Sequence, residues 1–169
     1  MPRLASFRAE KDELFRSHHE SPLTPEQRET FRGLRYYPEN PALVFDIEPD
    51  MFAEPEQVRM LTSTGDEQLF VRWALLKFKI DGTAVQLTLF GDPGGGYFLP
   101  FTDAGRGTET YGAGRYLEPE DLAPGLIHVD FNFAYNPYCA YNDAWSCPLP
   151  PPENHLPVHI RAGELAFEQ

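Results

Sequence analysis

LFVRWALLKFKIDGTAVQLTLF, residues 69–90, is the stretch that decides the fold. Two runs of alternating apolar residues flank Asp81-Gly82, a dipeptide that favours a two-residue type I′ turn because both residues tolerate positive φ. Such a turn fixes the register of the arms, with partners summing to 163. Ile80 then meets Thr83, Phe78 meets Val85 and Leu76 meets Leu87 on one face, while Lys79, Lys77 and Gln86 lie on the other. One apolar and one polar face describe a half-buried antiparallel sheet.

The same period of two recurs outward from this hairpin, over 43–47, 57–63, 97–101, 126–132 and 156–161, with 165–167 closing an edge. Short strands punctuated by Gly and Pro predict a mainly β fold, an antiparallel sandwich or partly closed barrel. The 17 Pro and 13 Gly among 169 residues oppose a helical bundle. Only the N-terminal part reads as helix. Leu4, Phe7, Leu14 and Phe15 share one stripe, predicting a helix over 5–18 that lies on the body as a lid or brace. Thr24, Pro25 and Gln27 form a capping-box start and Gly33 a stop, predicting a second helix over 25–31. The expected organisation is one domain over 1–169, with a helical arm over 1–35 and a β body over 36–169.

Charge narrows the function classes. Against 14 Lys and Arg stand 26 Asp and Glu, a net charge of −12, which repels phosphate backbones and anionic lipid and argues against nucleic-acid and membrane partners. No stretch approaches the roughly 18 apolar residues of a membrane span, and no export leader is recognisable. The expected location is the cytoplasm, with Cys139 and Cys147 as reduced thiols; an exported form would bridge them instead.

Chemistry can be placed on a few segments. The strand over 126–132 alternates Ile127, Val129 and Phe131 with His128, Asp130 and Asn132. Facing water, that polar face is an ordinary amphipathic strand; covered by the segment 134–154, it becomes a pocket floor. The covering segment carries Tyr135, Tyr138, Tyr141 and Trp145, too many aromatics for disorder. His128 and Asp130 at i, i+2 and His155 and His159 at i, i+4 are donors a metal could use. Nothing makes those strands neighbours, however, and no metal or cofactor is expected. Cys139 becomes a nucleophile if a nearby His or Arg lowers its pKa, with Asp130 or His128 assisting; a small buried Cys among aromatics is the alternative. Residues 111–116, YGAGRY, lack the ending of a phosphate-binding loop. Within them Arg115 holds a carboxylate or phosphate, or else ties Asp103, Glu109 or Asp130 into the structure. The run CPLPPPEN, 147–154, is polyproline II, a groove ligand or a rigid strap.

A long signature runs through these segments. It comprises Asp130-Phe131-Asn132, Ala134-Tyr135-Asn136-Pro137, Cys139-Ala140-Tyr141, Cys147-Pro148-Leu149-Pro150-Pro151, Glu153-Asn154, Leu156 and Ala162-Gly163-Glu164. Upstream stand Gly33-Leu34, Phe98-Leu99-Pro100-Phe101, Asp103, Thr110-Tyr111-Gly112 and Gly114-Arg115-Tyr116-Leu117. In these residues the chain resembles a bacterial family catalogued as a domain of unknown function (number 1684). The resemblance implies no activity and no cofactor. It includes Tyr111, Arg115, Asp130, Asn132, Asn136, Cys139, Cys147, Glu153 and Asn154 but not His128, His155 or His159, which weakens the metal reading. By coupling the glycine-rich segment 91–117 to the proline-rich one, it implies that the two meet over residues 128–132.

The function expected on these grounds is binding of a small molecule, anionic if Arg115 anchors it, in a pocket formed by 91–117 and 134–154. Asp130, Asn132, Asn136, Glu153 and Asn154 supply polar groups and Tyr111, Tyr116, Tyr135 and Tyr141 the walls. The alternatives are a thiol-dependent or hydrolytic enzyme using Cys139 and Asp130, and an interaction module whose buried polar network satisfies itself.

Overall fold

A computed structural model describes residues 2–167. In it two helices, α1 (Pro2–Ser17) and α2 (Pro25–Thr30), precede eight strands. These are β1 (Val44–Ile47), β2 (Asp50–Leu61), β3 (Glu67–Ile80), β4 (Thr83–Gly91), β5 (Tyr97–Phe101), β6 (Arg115–Leu117), β7 (Glu120–Ala123) and β8 (Leu126–Asp130). They form two antiparallel sheets, of order β2-β3-β4-β5-β6 and β1-β8-β7. The sheets pack as a sandwich and do not close into a barrel.

The β3–β4 hairpin follows its turn chemistry. Asp81 and Gly82 both take positive φ, 49° and 81°, and Ile80↔Thr83, Phe78↔Val85 and Leu76↔Leu87 pair as predicted. The register holds as far as Ala74↔Leu89, where Trp73 is inserted as a bulge and the pairing resumes at Arg72↔Phe90. On the other side of β3, residues 52–55 of β2 stand opposite Trp73 alone. Pro55, which has no N–H to give a ladder, falls in this irregular stretch of an edge strand.

Between the sheets lies the main core: Leu76, Leu87, Leu89, Leu99 and Phe101 from one side, Ile47, Ile127, Val129 and Phe131 from the other. A second cluster, Met60, Phe70 and Phe90, covers part of the outer face of the five-stranded sheet. Helix α1 is held by a third, in which Phe15 packs edge-on to Tyr141 at 4.9 Å. Phe7 stacks on Phe133 at 5.1 Å, and the Asp12 carboxylate accepts the Leu34 N–H at 3.0 Å. Both bonds of the predicted capping box at Thr24 and Gln27 are present.

Three strand expectations are corrected. Residues 156–161 and 165–167 make no strand; an isolated bridge stands just before each, at Thr102↔His155 and Tyr36↔Glu164. The alternation of 156–161 does point Leu156 and Ile160 into the core; Leu156 and Val158 bond to the backbone of Thr102 and Ala104, whereas the side chains of Asp103 and Arg115 take the N–H and carbonyl of Ile160. The strand predicted over 126–132 stops at Asp130, whose carboxylate accepts the Asn132 N–H at 2.9 Å and starts a 3-10 turn, Phe131–Phe133. Among the described residues no helix is long and apolar enough to cross a membrane.

Candidate functional site

Arg115 opens β6 with a side chain 1% exposed. Its guanidinium donates to the carbonyls of Ala162, Glu164 and Ile160 and lies 3.5 Å from Asp103, whose carboxylate also accepts the Ile160 N–H at 2.6 Å. The C-terminal segment is thus held by a charged fork instead of a neighbouring strand. Arg115 is engaged as a tie to Asp103, the alternative considered for it above. Gly114 just before it has φ of +105°, and a Cβ there would come within 2.6 Å of the Phe101 carbonyl.

The other predicted polar residues are similarly engaged within the protein. Asn132 clamps Asn40, accepting its N–H at 2.8 Å and donating to its carbonyl at 2.9 Å. Asn154 accepts the Thr88 N–H and donates to the carbonyls of Thr88 and Pro100, all within 2.8–2.9 Å. It thereby fills the gap where β4 and β5, paired only at Phe90↔Phe98 and Gly91↔Tyr97, come apart. Glu153 beside it binds Arg72 at 2.7 Å and Thr88 at 3.0 Å, and these bonds hold its carboxyl below the ordinary range.

A buried carboxylate to which the sequence reading gave no role organises the remainder. Glu164, 1% exposed, accepts from the Asn136 N–H at 2.6 Å, Tyr141 Oη at 2.7 Å and Lys11 Nζ at 3.1 Å. Asn136 and Tyr141 therefore support this carboxylate, and α1 is pinned by Lys11. Local sequence carries no signal for it, since Glu164 sits between Gly163 and Leu165 like any surface acid.

The thiols are buried. Cys139 lies 3.6 Å from the Tyr111 hydroxyl, and its N–H donates to Cys147 Sγ at 3.3 Å. Burial pushes the Cys147 thiol up to about 11. The histidines are dispersed: His128 pairs with Asp46 at 2.7 Å, His155 with Thr102 at 2.8 Å, and His159 lies 3.8 Å from Glu109. They do not assemble into the ligand set considered above.

Open space collects elsewhere, between α1 and the β body. A cleft of about 950 Å³ is lined by Phe7, Phe15, Phe70, Tyr97, Phe98, Tyr116, Tyr135, Tyr138 and Trp145. Both predicted segments border it, 91–117 through Tyr97, Phe98 and Tyr116 and 134–154 through Tyr135, Tyr138 and Trp145. They meet there at the Tyr116↔Tyr135 bridge instead of over Asn132. Trp145 and Tyr138 are 38% and 36% exposed, large rings left facing water. A second cleft of about 540 Å³ adjoins it and is lined by His128, Asp130 and Phe133. Phe7, Glu10, Glu118, Glu120 and Tyr135 border both. Of the expected site residues, Tyr116, Tyr135 and Asp130 reach these clefts; Tyr111, Arg115, Asn132, Asn136, Cys139, Tyr141, Glu153 and Asn154 do not.

Residues 29–165 match the family model described as protein of unknown function (DUF1684). The chain belongs to this family. Its fold is similar to the solution NMR structure of an uncharacterised protein from Haloarcula marismortui, with a TM-score of 0.73 and 39% identity over 97% of this chain and 92% of that one. No curated protein matches the chain. The resemblance rested on residues that the structure puts to two uses. Arg115, Asn132, Asn136, Glu153, Asn154 and Glu164 tie loops to sheets, whereas Tyr116 and Tyr135 form the wall of the larger cleft.

Proposed function

We propose that this member of the DUF1684 family binds a small molecule in the cleft beneath α1. The observation that carries the reading is the cleft itself: a concavity of about 950 Å³, within the roughly 300–1,000 Å³ of small-molecule sites, walled by aromatic rings. Scaffold ties brace it from both sides. Lys11 pins the helix to Glu164, and Tyr116 donates to the Pro148 carbonyl, fixing the strap that follows Trp145. The strap is anchored further by the Leu149 N–H on the Leu61 carbonyl at 2.8 Å. Rings held this firmly suit a flat apolar body, because little order must be imposed on binding. A thiol enzyme gains no comparable support, since Cys139 meets Tyr111 and Cys147 and the Cys147 thiol is held neutral by burial.

The neutral fluorophore N-phenyl-1-naphthylamine tests the proposal. Saturable enhancement of its emission by the native protein, abolished by Trp145→Gln with Tyr135→Ala but retained by the surface variant Leu122→Gln, is the expected result. Enhancement that does not saturate, or that survives the cleft variants, would overturn it.

A further inference from the structure

Resting on that reading, we propose that the ligand is an organic cation: an ammonium or quaternary ammonium group carried on an aromatic or alkyl body. Three carboxylates, Glu10, Glu118 and Glu120, stand where the two clefts join, and Asp92 stands elsewhere on the border of the larger one. Tyr135 donates its hydroxyl to Glu118, so that one carboxylate is fixed at the junction. The positive side chain bordering the larger cleft is Lys11, its ammonium bound to Glu164, and Arg3 borders the smaller one with its guanidinium over the Phe133 ring.

The rings offer the second half of the match. An aromatic face is electron-rich and attracts a cation placed within about 6 Å of its centre. The protein already uses these rings in that way: Lys11 Nζ lies 4.9 Å from the centre of Tyr135, and the Arg3 guanidinium lies 5.2 Å from that of Phe133. An occupant with a cationic head and an apolar body would meet carboxylates at the junction and ring faces along the walls. An anion would meet the same carboxylates, in a chain of net charge −12, and be repelled. The charge complementarity is thus opposite in sign to what an exposed Arg115 would have provided.

Competition for bound N-phenyl-1-naphthylamine among three compounds of similar shape decides the matter: phenyltrimethylammonium, neutral tert-butylbenzene and anionic benzenesulfonate. The ammonium compound is expected to displace the fluorophore at about tenfold lower concentration than either of the others, the range open to a cation on aromatic faces. Its advantage over the neutral competitor should shrink as salt is raised and be lost in Glu118→Gln/Glu120→Gln, each protein's own affinity for the fluorophore serving as its reference. Equal displacement by all three, preference for the sulfonate, or an advantage that survives both substitutions would overturn the inference and leave the cleft standing as a binding site. Failure of the fluorophore itself to bind would overturn both.

Discussion

Arg115 has a guanidinium that serves Ile160, Ala162, Glu164 and Asp103 together. Removing it leaves three carbonyls and a carboxylate buried without their donor, a change that costs about 3–5 kcal/mol when a buried pair is broken. Arg115→Met is therefore expected to lower the unfolding free energy by about that amount in a urea titration. Arg115→Lys should fail to restore it, because a point ammonium cannot reach several carbonyls as a planar fork does. Native-like stability of Arg115→Met would show that the tie is dispensable. The arginine was legible as a charge at an unusual place between tyrosines, with Asp103 among its candidate partners, but its carbonyl partners lie 45 to 49 residues away and no local pattern names them. Glu164 was less visible still, since only the topology makes an acid beside Gly163 a buried acceptor.

At the scale of elements, helix α1 is both a wall of the cleft and a separable layer. Its anchors include Phe15 against Tyr141, Phe7 on Phe133, Arg8 over Tyr36, Lys11 on Glu164, and Asp12 on the Leu34 N–H. Truncating Phe15, 1% exposed, to Ala should cost about 3–5 kcal/mol if the helix stays part of the folding unit. If it detaches first, hydrogen exchange should speed up across residues 3–17 while β3 and β4 stay protected. Either outcome is expected to abolish binding of the naphthylamine. Unchanged exchange in α1 together with unchanged stability would contradict this anchoring. The helix was readable from its apolar stripe, and the β3–β4 hairpin from its Asp-Gly turn, because both signals are local. Residues 156–161 misled for a related reason: alternation reports which side chains point inward, not whether the backbone finds a strand beside it. Here the backbone bonds of Leu156 and Val158 to Thr102 and Ala104 give way at Ile160 to the side chains of Asp103 and Arg115.

Across the whole molecule, aromatic burial sets the response to alkali. The chain has eight tyrosines, and in all eight the hydroxyl is pushed above its ordinary value, chiefly by burial of the ring. Cys147 shifts the same way, up to about 11. A raised folded pKa for a group that loses charge-neutrality on deprotonation gives stability that is complete below the unfolded pKa and is lost as pH rises toward the folded one. Stability should accordingly fall from about pH 8.5, where an unfolded thiol ionises, and more steeply above about pH 10, where unfolded tyrosines do. Tyrosinate absorbance near 295 nm should then appear in one step with the loss of circular dichroism. Gradual ionisation of the buried tyrosines with the fold intact would contradict this. The sandwich was legible because strand period is written in the chain; that the two segments meet was implied by the family resemblance alone, and their place of meeting, Tyr116↔Tyr135, was not. The polarity of that site was not, since it depends on which charges the scaffold consumes.

Amide chemical shifts of the uniformly ¹⁵N-labelled protein, followed while N-phenyl-1-naphthylamine is added, test the cleft most directly. Saturable shifts clustered at Phe7–Phe15, Phe70, Tyr97, Phe98, Tyr116–Glu120 and Tyr135–Cys147 are expected, with the β3–β4 turn at Ile80–Thr83 undisturbed. Shifts centred on Arg115, Asn132 and Asn154, or spread without saturation over the surface, would contradict a ligand site beneath α1.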